Sequence, residues 1–230
     1  MRVHTDWLLT AHRAAIHLPS ATAVVADLHL GYAQRRRRAG DAVPLHESRS
    51  MLAPLIQLAD EHHVHRIVIA GDCFEDGRGE AGIAEWLDEF RAVGLELVAL
   101  VPGNHDRGIE RFDKQVPLFP SGVTLGEWQI VHGDGVLPEG RVMHGHFHPC
   151  LRWNRRTVAP CFLVGPKKLV LPAFSSDAAG VNVVADRRWR GLRCCVIVGS
   201  EVLDFGSVEG LPRLRGHSCK QPLRSREKVN

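Results

Sequence analysis

The stretch RIVIAGDCFEDGRGEAGIAEWLDEFRAVGLELVALVPGNHD, residues 66–106, decides the fold. Arg66 to Ala70 is a short apolar, β-branched run that closes on Gly71-Asp72, and it reads as a buried strand. Ile83, Trp86, Leu87 and Phe90 recur at helical spacing, so Glu80 to Val93 reads as an amphipathic helix. Leu95 to Val101 is a second buried strand, closing on Pro102-Gly103-Asn104-His105-Asp106. Upstream, Thr22 to Ala26 is a strand of the same kind, ending in Asp27. Between it and Arg66, Leu52, Leu55, Ile56 and Ala59 share a helical face, and Pro54 is expected to mark an early turn or a kink. Strand, helix, strand, helix, strand is the order of an α/β fold with a parallel sheet.

Beyond Val123 the pattern becomes strand-rich. Trp128–Val131, Arg141–His144, Val158–Val164, Lys168–Leu171, Val181–Val184, Leu192–Val198 and Glu201–Phe205 read as strands of a second sheet. One domain over residues 1–210 is expected, followed by a flexible basic tail over 211–230 that holds Arg213, Arg215, Lys220, Arg224, Arg226 and Lys228. The net charge of +3 is too small to announce nucleic acid by itself. None of the six cysteines falls in a C-x-x-C pair, no signal-peptide core opens the chain, and no apolar run is long enough to span a membrane. Those features suit reduced thiols and a cytoplasmic protein without membrane contact.

The chain has 14 His against one Tyr, which directs attention to metal ligands. Five pieces stand out: Asp27-Leu28-His29, Gly71-Asp72, Gly103-Asn104-His105-Asp106, His132-Gly133 and Gly145-His146-Phe147-His148. Three follow α/β strands directly, and ligands of open α/β sheets sit beyond the carboxyl ends of strands. Two Asp, one Asn and four His make seven oxygen and nitrogen donors, enough for two divalent cations that share a carboxylate. No thiolate is among them, which leans away from a structural zinc site. Two such ions, about 3.5–4 Å apart, can clamp a phosphate, activate a water and stabilise the leaving oxygen. His146 and His148 are expected to share a face as alternate residues of a strand.

This ordered set resembles the calcineurin-like metallophosphoesterase superfamily from Asp27 to His148. The resemblance implies a four-layer α/β sandwich, two mixed sheets flanked by helices, with a two-metal centre at one edge. Carried over by position, one ion would be held by Asp27, His29, Asp72 and His148. The other would be held by Asp72, Asn104, His132 and His146, with Asp72 bridging. His105 would be the non-ligand general acid or transition-state donor, and Asp106 would orient it. Val25-Ala-Asp-Leu-His-Leu-Gly31 with its Arg-rich sequel, and Pro160-Cys-Phe-Leu-Val-Gly-Pro-Lys-Lys-Leu-Val-Leu-Pro-Ala-Phe174, are similar to the ligase-associated PdeM endonucleases. That narrower resemblance implies DNA phosphodiester hydrolysis with manganese preferred, and the donors themselves also accept iron, zinc or magnesium. It also implies association with a DNA ligase and a helicase in DNA repair.

Arg35, Arg36, Arg37 and Arg38 admit two readings, a phosphate-backbone clamp or a solvated helix face. Lys167 and Lys168 either approach a phosphate or cap a turn after Gly165-Pro166. Three functions compete: a DNA-directed phosphodiesterase or nuclease, a hydrolase of a small phosphodiester or nucleotide, and an inactive scaffold. The full set of ligand positions weighs against the scaffold.

Overall fold

Alternating side chains along neighbouring strands build two sheets that share one core. The computed structural model describes residues 1–43, 48–75, 80–154, 157–178 and 180–212, so the expected tail from residue 213 onward lies outside the described residues. In the first sheet β1 (Arg2–Val3), β2 (Trp7–Leu9), β3 (Ala15–His17) and β4 (Thr22–Val25) run antiparallel in that order. β5 (Arg66–Ala70) and β6 (Glu96–Val101) then add parallel to β4. The connections are α1 (Tyr32–Arg38), α2 (Ser48–His62) and α3 (Glu80–Ala92). Ala23, Val25, Ile67, Ile69 and Leu100 face a buried layer with Leu52, Leu55 and Leu58 of α2 and Trp86 and Phe90 of α3.

The second sheet contains β7 (Val123–Leu125), β8 (Trp128–Val131), β9 (Arg141–His144), β10 (Pro149–Arg152), β11 (Val158–Val164), β12 (Lys168–Val170), β13 (Val181–Asn182), β14 (Arg193–Val198) and β15 (Glu201–Ser207). β8, β9 and β12 are parallel neighbours, and β11 pairs with β10, β12 and β14. Val24, Val68, Ala70 and Ala99 of the first sheet meet Trp128, Ile130, Met143, Phe162 and Leu169 of the second in the inter-sheet core. The chain is thus an α/β fold of two mixed sheets with helices, as expected. The outer face of the second sheet is covered by 3-10 turns at Val183–Ala185, Arg187–Trp189 and Val208–Gly210.

Several local expectations are corrected. β1, β2, β3, β7 and β10 add to the strands expected from the sequence. The expected strand over Val181–Val184 stops at Asn182 and turns into 3-10 helix. Pro54, expected at an early turn or a kink, lies inside α2. The buried stripe Leu52, Leu55, Leu58 and Ala59 outweighs the one intrahelical bond that proline cannot make.

Candidate metal centre

The ends of β4 and β5 do not splay after the strands finish. Asp27 N–H donates to the Gly71 carbonyl at 3.0 Å, His29 N–H to Asp72 at 2.9 Å and Leu30 N–H to Cys73 at 2.9 Å. Glu75 N–H returns to the Leu30 carbonyl at 3.0 Å. This ladder fixes Asp27, His29, Asp72 and Glu75 as one unit. Asp27, His29, Asp72, His146 and His148 all have left-handed backbones, with φ of 58, 50, 47, 70 and 47°. Such residues cost backbone strain, and their concentration here is typical of a functional site. The strand rationale for His146 and His148 therefore fails. They lie between β9 and β10, and the left-handed turns aim them.

The donors converge in overlapping groups: Asp27 with His29 and His148, His29 with Asp72 and His105, and Asp72 with His132 and His146. His29 and Asp72 each belong to two of them, and Asp72 is the member that joins the His29 side to the His132–His146 side. His29 Nε2 and His148 Nε2 are 3.4 Å apart, and His146 Nδ1 and His132 Nε2 are 3.2 Å apart. Asn104 Oδ1 stands 3.3 Å from His132 Nε2. Ring nitrogens facing one another at such spacing suit ligands around a cation with bonds of about 2.0–2.1 Å. The rings are held from behind. His29 Nδ1–H donates to Glu75 at 2.6 Å and His132 Nδ1–H to the Ala70 carbonyl at 3.2 Å, which turns both Nε2 atoms toward the cluster. The donor set fits two divalent cations.

Close approach demands glycine beside the carboxylates. A Cβ on Gly103 would stand 2.3 Å from Asp72 Oδ1, and one on Gly145 would stand 2.5 Å from Asp27 Oδ2. His146 N–H donates to both Asp27 oxygens, at 3.1 and 3.0 Å, and ties the second sheet to the first. Burial acts to raise the pKa of Asp72, but the His132 hydrogen bond and charge, with the His105 N–H, hold it below the usual range. Burial acts to lower His132, yet Asp72 and Asp27 lift it to about 9.

Among the described residues no hydrogen bond or ion pair joins Asp106 to the His105 ring. The buried Asp106 carboxylate accepts the N–H groups of Cys73, Phe74 and Gly103 at 3.2, 2.8 and 2.9 Å, locking one ligand loop to the other. Burial, offset by those three bonds, pushes it up to about 6. The group beside His105 is Glu75, whose Oε2 lies 3.5 Å from Nδ1. Glu75 escaped the sequence reading although it stands three residues after Asp72; the spacing Gly-Asp-x-x-Glu is the available signal. Arg13 escaped too. Its guanidinium donates to the carbonyls of Ala173, Phe174 and Ser175 at 3.3, 3.3 and 2.8 Å. The N–H groups of Phe174 and Ser175 in turn reach the carbonyls of Ala26 and Asp27, at 2.7 and 3.2 Å.

The basic candidates separate. Arg35 pairs with buried Glu75 at 2.5 Å, and Arg36 pairs with Asp41 at 2.6 Å. Arg37 and Arg38 are exposed on α1, two turns beyond His29, with no ion pair among the described residues. Lys168 begins β12 opposite Val142, at the end of the strand remote from the ligand loops, and Lys167 precedes it. Neither lysine is brought to the cluster. A separate group, His12, Glu61 and His62, lies at the end of α2.

A family model described as calcineurin-like phosphoesterase matches residues 21–190. No curated protein matches the chain. A crystal structure described as Pseudomonas putida nuclease MPE is similar at 24% identity and a TM-score of 0.65, covering 86% of this chain and 94% of that one. At that identity the likeness speaks for the fold.

Proposed function

The chain belongs to the calcineurin-like phosphoesterase family and is a metal-dependent phosphoesterase, and on that premise we propose that it hydrolyses phosphodiester bonds of DNA. The observation that carries the chemistry is Asp72 standing between two sets of nitrogen and oxygen donors. Asp27, His29, Asp72 and His148 would hold one cation, and Asp72, Asn104, His132 and His146 the other. Manganese is the proposed metal, and iron, zinc or magnesium suit the same donors. Bound divalent cations supply positive charge to phosphoryl oxygens and acidify water.

The remaining chemistry belongs to side chains. His105 is partly exposed with the Glu75 carboxylate 3.5 Å behind its Nδ1, which places the ring to act as donor toward the leaving oxygen. Its N–H donates to Asp72 at 2.8 Å, which fixes the loop that carries the ring. The similar Pseudomonas putida protein is a nuclease, and exposed Arg37 and Arg38 stand beyond His29 on α1. Both favour a polyanionic substrate. The proposed setting is DNA repair in the cytoplasm, alongside a ligase and a helicase. No helix among the described residues is long and apolar enough to cross a membrane. A single domain over 1–210, with the tail as an appendage, is part of the same proposal.

The test sets single-stranded DNA, duplex DNA, a cyclic dinucleotide and an aryl phosphodiester side by side on the manganese-loaded chain, at several salt concentrations. Cleavage of DNA whose affinity falls steeply with salt is expected. Hydrolysis of the small substrates alone would overturn the DNA reading and leave the phosphoesterase intact.

A further inference from the structure

Asp186-Arg187-Arg188-Trp189-Arg190 lies 38 or more positions after His148 in the chain yet folds back beside the ligand loop. The Arg187–Trp189 turn is capped by the Asp186 side chain, which accepts Arg188 N–H at 2.9 Å. Trp189 is buried and anchors the turn, with its ring 5.1 Å from that of Phe147. Phe147 sits between the ligand candidates His146 and His148, and its ring is 4.8 Å from His146. His146 in turn is 4.9 Å from His132. The Arg188 guanidinium rests on Phe147 at 4.7 Å and on Trp189 at 5.5 Å. Two ring contacts therefore join an exposed cation to the metal cluster.

Arg188 is built for more than filling space. Its Nε donates to Asp186 at 2.6 Å, and among the described residues its terminal nitrogens meet no acceptor. A planar guanidinium held on an aromatic face has its fork already oriented, so little rotamer freedom is lost when it meets an anion. Arg187 and Arg190 are exposed on the same short segment, and neither has an ion pair among the described residues. Among the described residues the acids nearby include Asp186, which Arg188 occupies, Glu209, which accepts the Gly191 N–H at 3.2 Å, and Asp134, whose charge reaches His146. Three arginines against one aspartate leave the segment cationic.

We propose that Arg187, Arg188 and Arg190, with Phe147 as platform, form a second phosphate subsite for a polynucleotide strand, on the His146 side of the centre. The subsite rests on the DNA reading above. Arg188 takes a phosphate next to the scissile one, and Arg187 and Arg190 follow the backbone outward. With Arg37 and Arg38 beyond His29, the centre has cations on both flanks. That arrangement selects a strand of several phosphates over a small phosphodiester.

The experiment compares the manganese-loaded chain with Arg188→Gln and with the R187Q/R188Q/R190Q triple variant. Circular dichroism and thermal midpoints check that Trp189 still anchors the turn. The readouts are kcat/KM for a single-stranded 20-mer relative to an aryl phosphodiester, and the salt dependence of oligonucleotide binding. The triple variant should lower the kcat/KM ratio about tenfold or more, and the log–log salt slope by about 0.7 per lost phosphate contact. Arg188→Gln should account for one such contact. Wild-type cleavage of DNA with an unchanged ratio and slope in the triple variant would overturn the subsite alone. A wild type that hydrolyses the aryl diester but no DNA would overturn the DNA reading and the subsite with it.

Discussion

Replacing Glu75 by Gln separates the ligands from the groups that hold them. The Glu75 carboxylate is 2% exposed and accepts from His29 Nδ1 at 2.6 Å and from Arg35 at 2.5 Å, with His105 Nδ1 at 3.5 Å. Glutamine keeps the volume and removes the charge. His29 then loses the anion that makes Nε2 a stronger donor to a cation. Loss of such a supporting contact typically weakens metal affinity about 10–100-fold, or roughly 1.4–2.7 kcal/mol. Removing one partner of a fully buried pair costs about 3–5 kcal/mol. Arg35 is 45% exposed and rehydrates, so the expected stability loss is smaller, about 1–2 kcal/mol. Calorimetric titration with manganese measures the affinity, and turnover at saturating metal isolates His105. We expect kcat to fall even at saturation, more for an alkoxide leaving group than for a nitrophenolate. Metal affinity within twofold of wild type, together with an unaltered kcat, would refute the supporting role of Glu75.

Other consequences follow from the same geometry. His105→Ala should retain both metals, by elemental analysis, and lower turnover on poor leaving groups by about 10² to 10⁴; loss of a metal would make His105 a ligand. Gly103→Ala places a methyl 2.3 Å from Asp72 Oδ1, so it should destabilise the chain by about 1–3 kcal/mol and deplete bound metal, whereas full metal content would show that the loop yields. In the metal-free chain His132 is lifted from 6.5 to about 9. A raised histidine contributes stability that is complete below 6.5 and lost as pH passes 9, roughly 3 kcal/mol in all. The depressed pKa of Asp72 is the same contact seen from its partner and adds nothing further. Chelator-treated protein should therefore melt at a lower temperature at pH 9 than at pH 6.5, and metal should abolish the difference; a flat metal-free profile would contradict the His132–Asp72 contact.

The sequence by itself determined what depends on neighbours in the chain. β5 spans the apolar run Arg66–Ala70, and α3 begins at Glu80 and ends one residue before the expected Val93, because periodicity is local. The donor types, their order and their places after strands were also legible, since a strand end and the residue after it are adjacent. Tertiary structure alone decided what depends on partners far along the chain. Glu75 meets His29 across 46 residues and Asp106 meets Phe74 across 32, so neither contact leaves a periodic trace. The left-handed turns at His146 and His148, not strand alternation, aim those rings. Four adjacent arginines look equivalent in sequence, yet packing of α1 gives Arg35 a buried carboxylate partner in Glu75 and leaves Arg37 and Arg38 exposed without an ion pair among the described residues. Side-chain type and spacing are written in the chain, whereas the acceptor that each charge finds is fixed only when the sheets close around it.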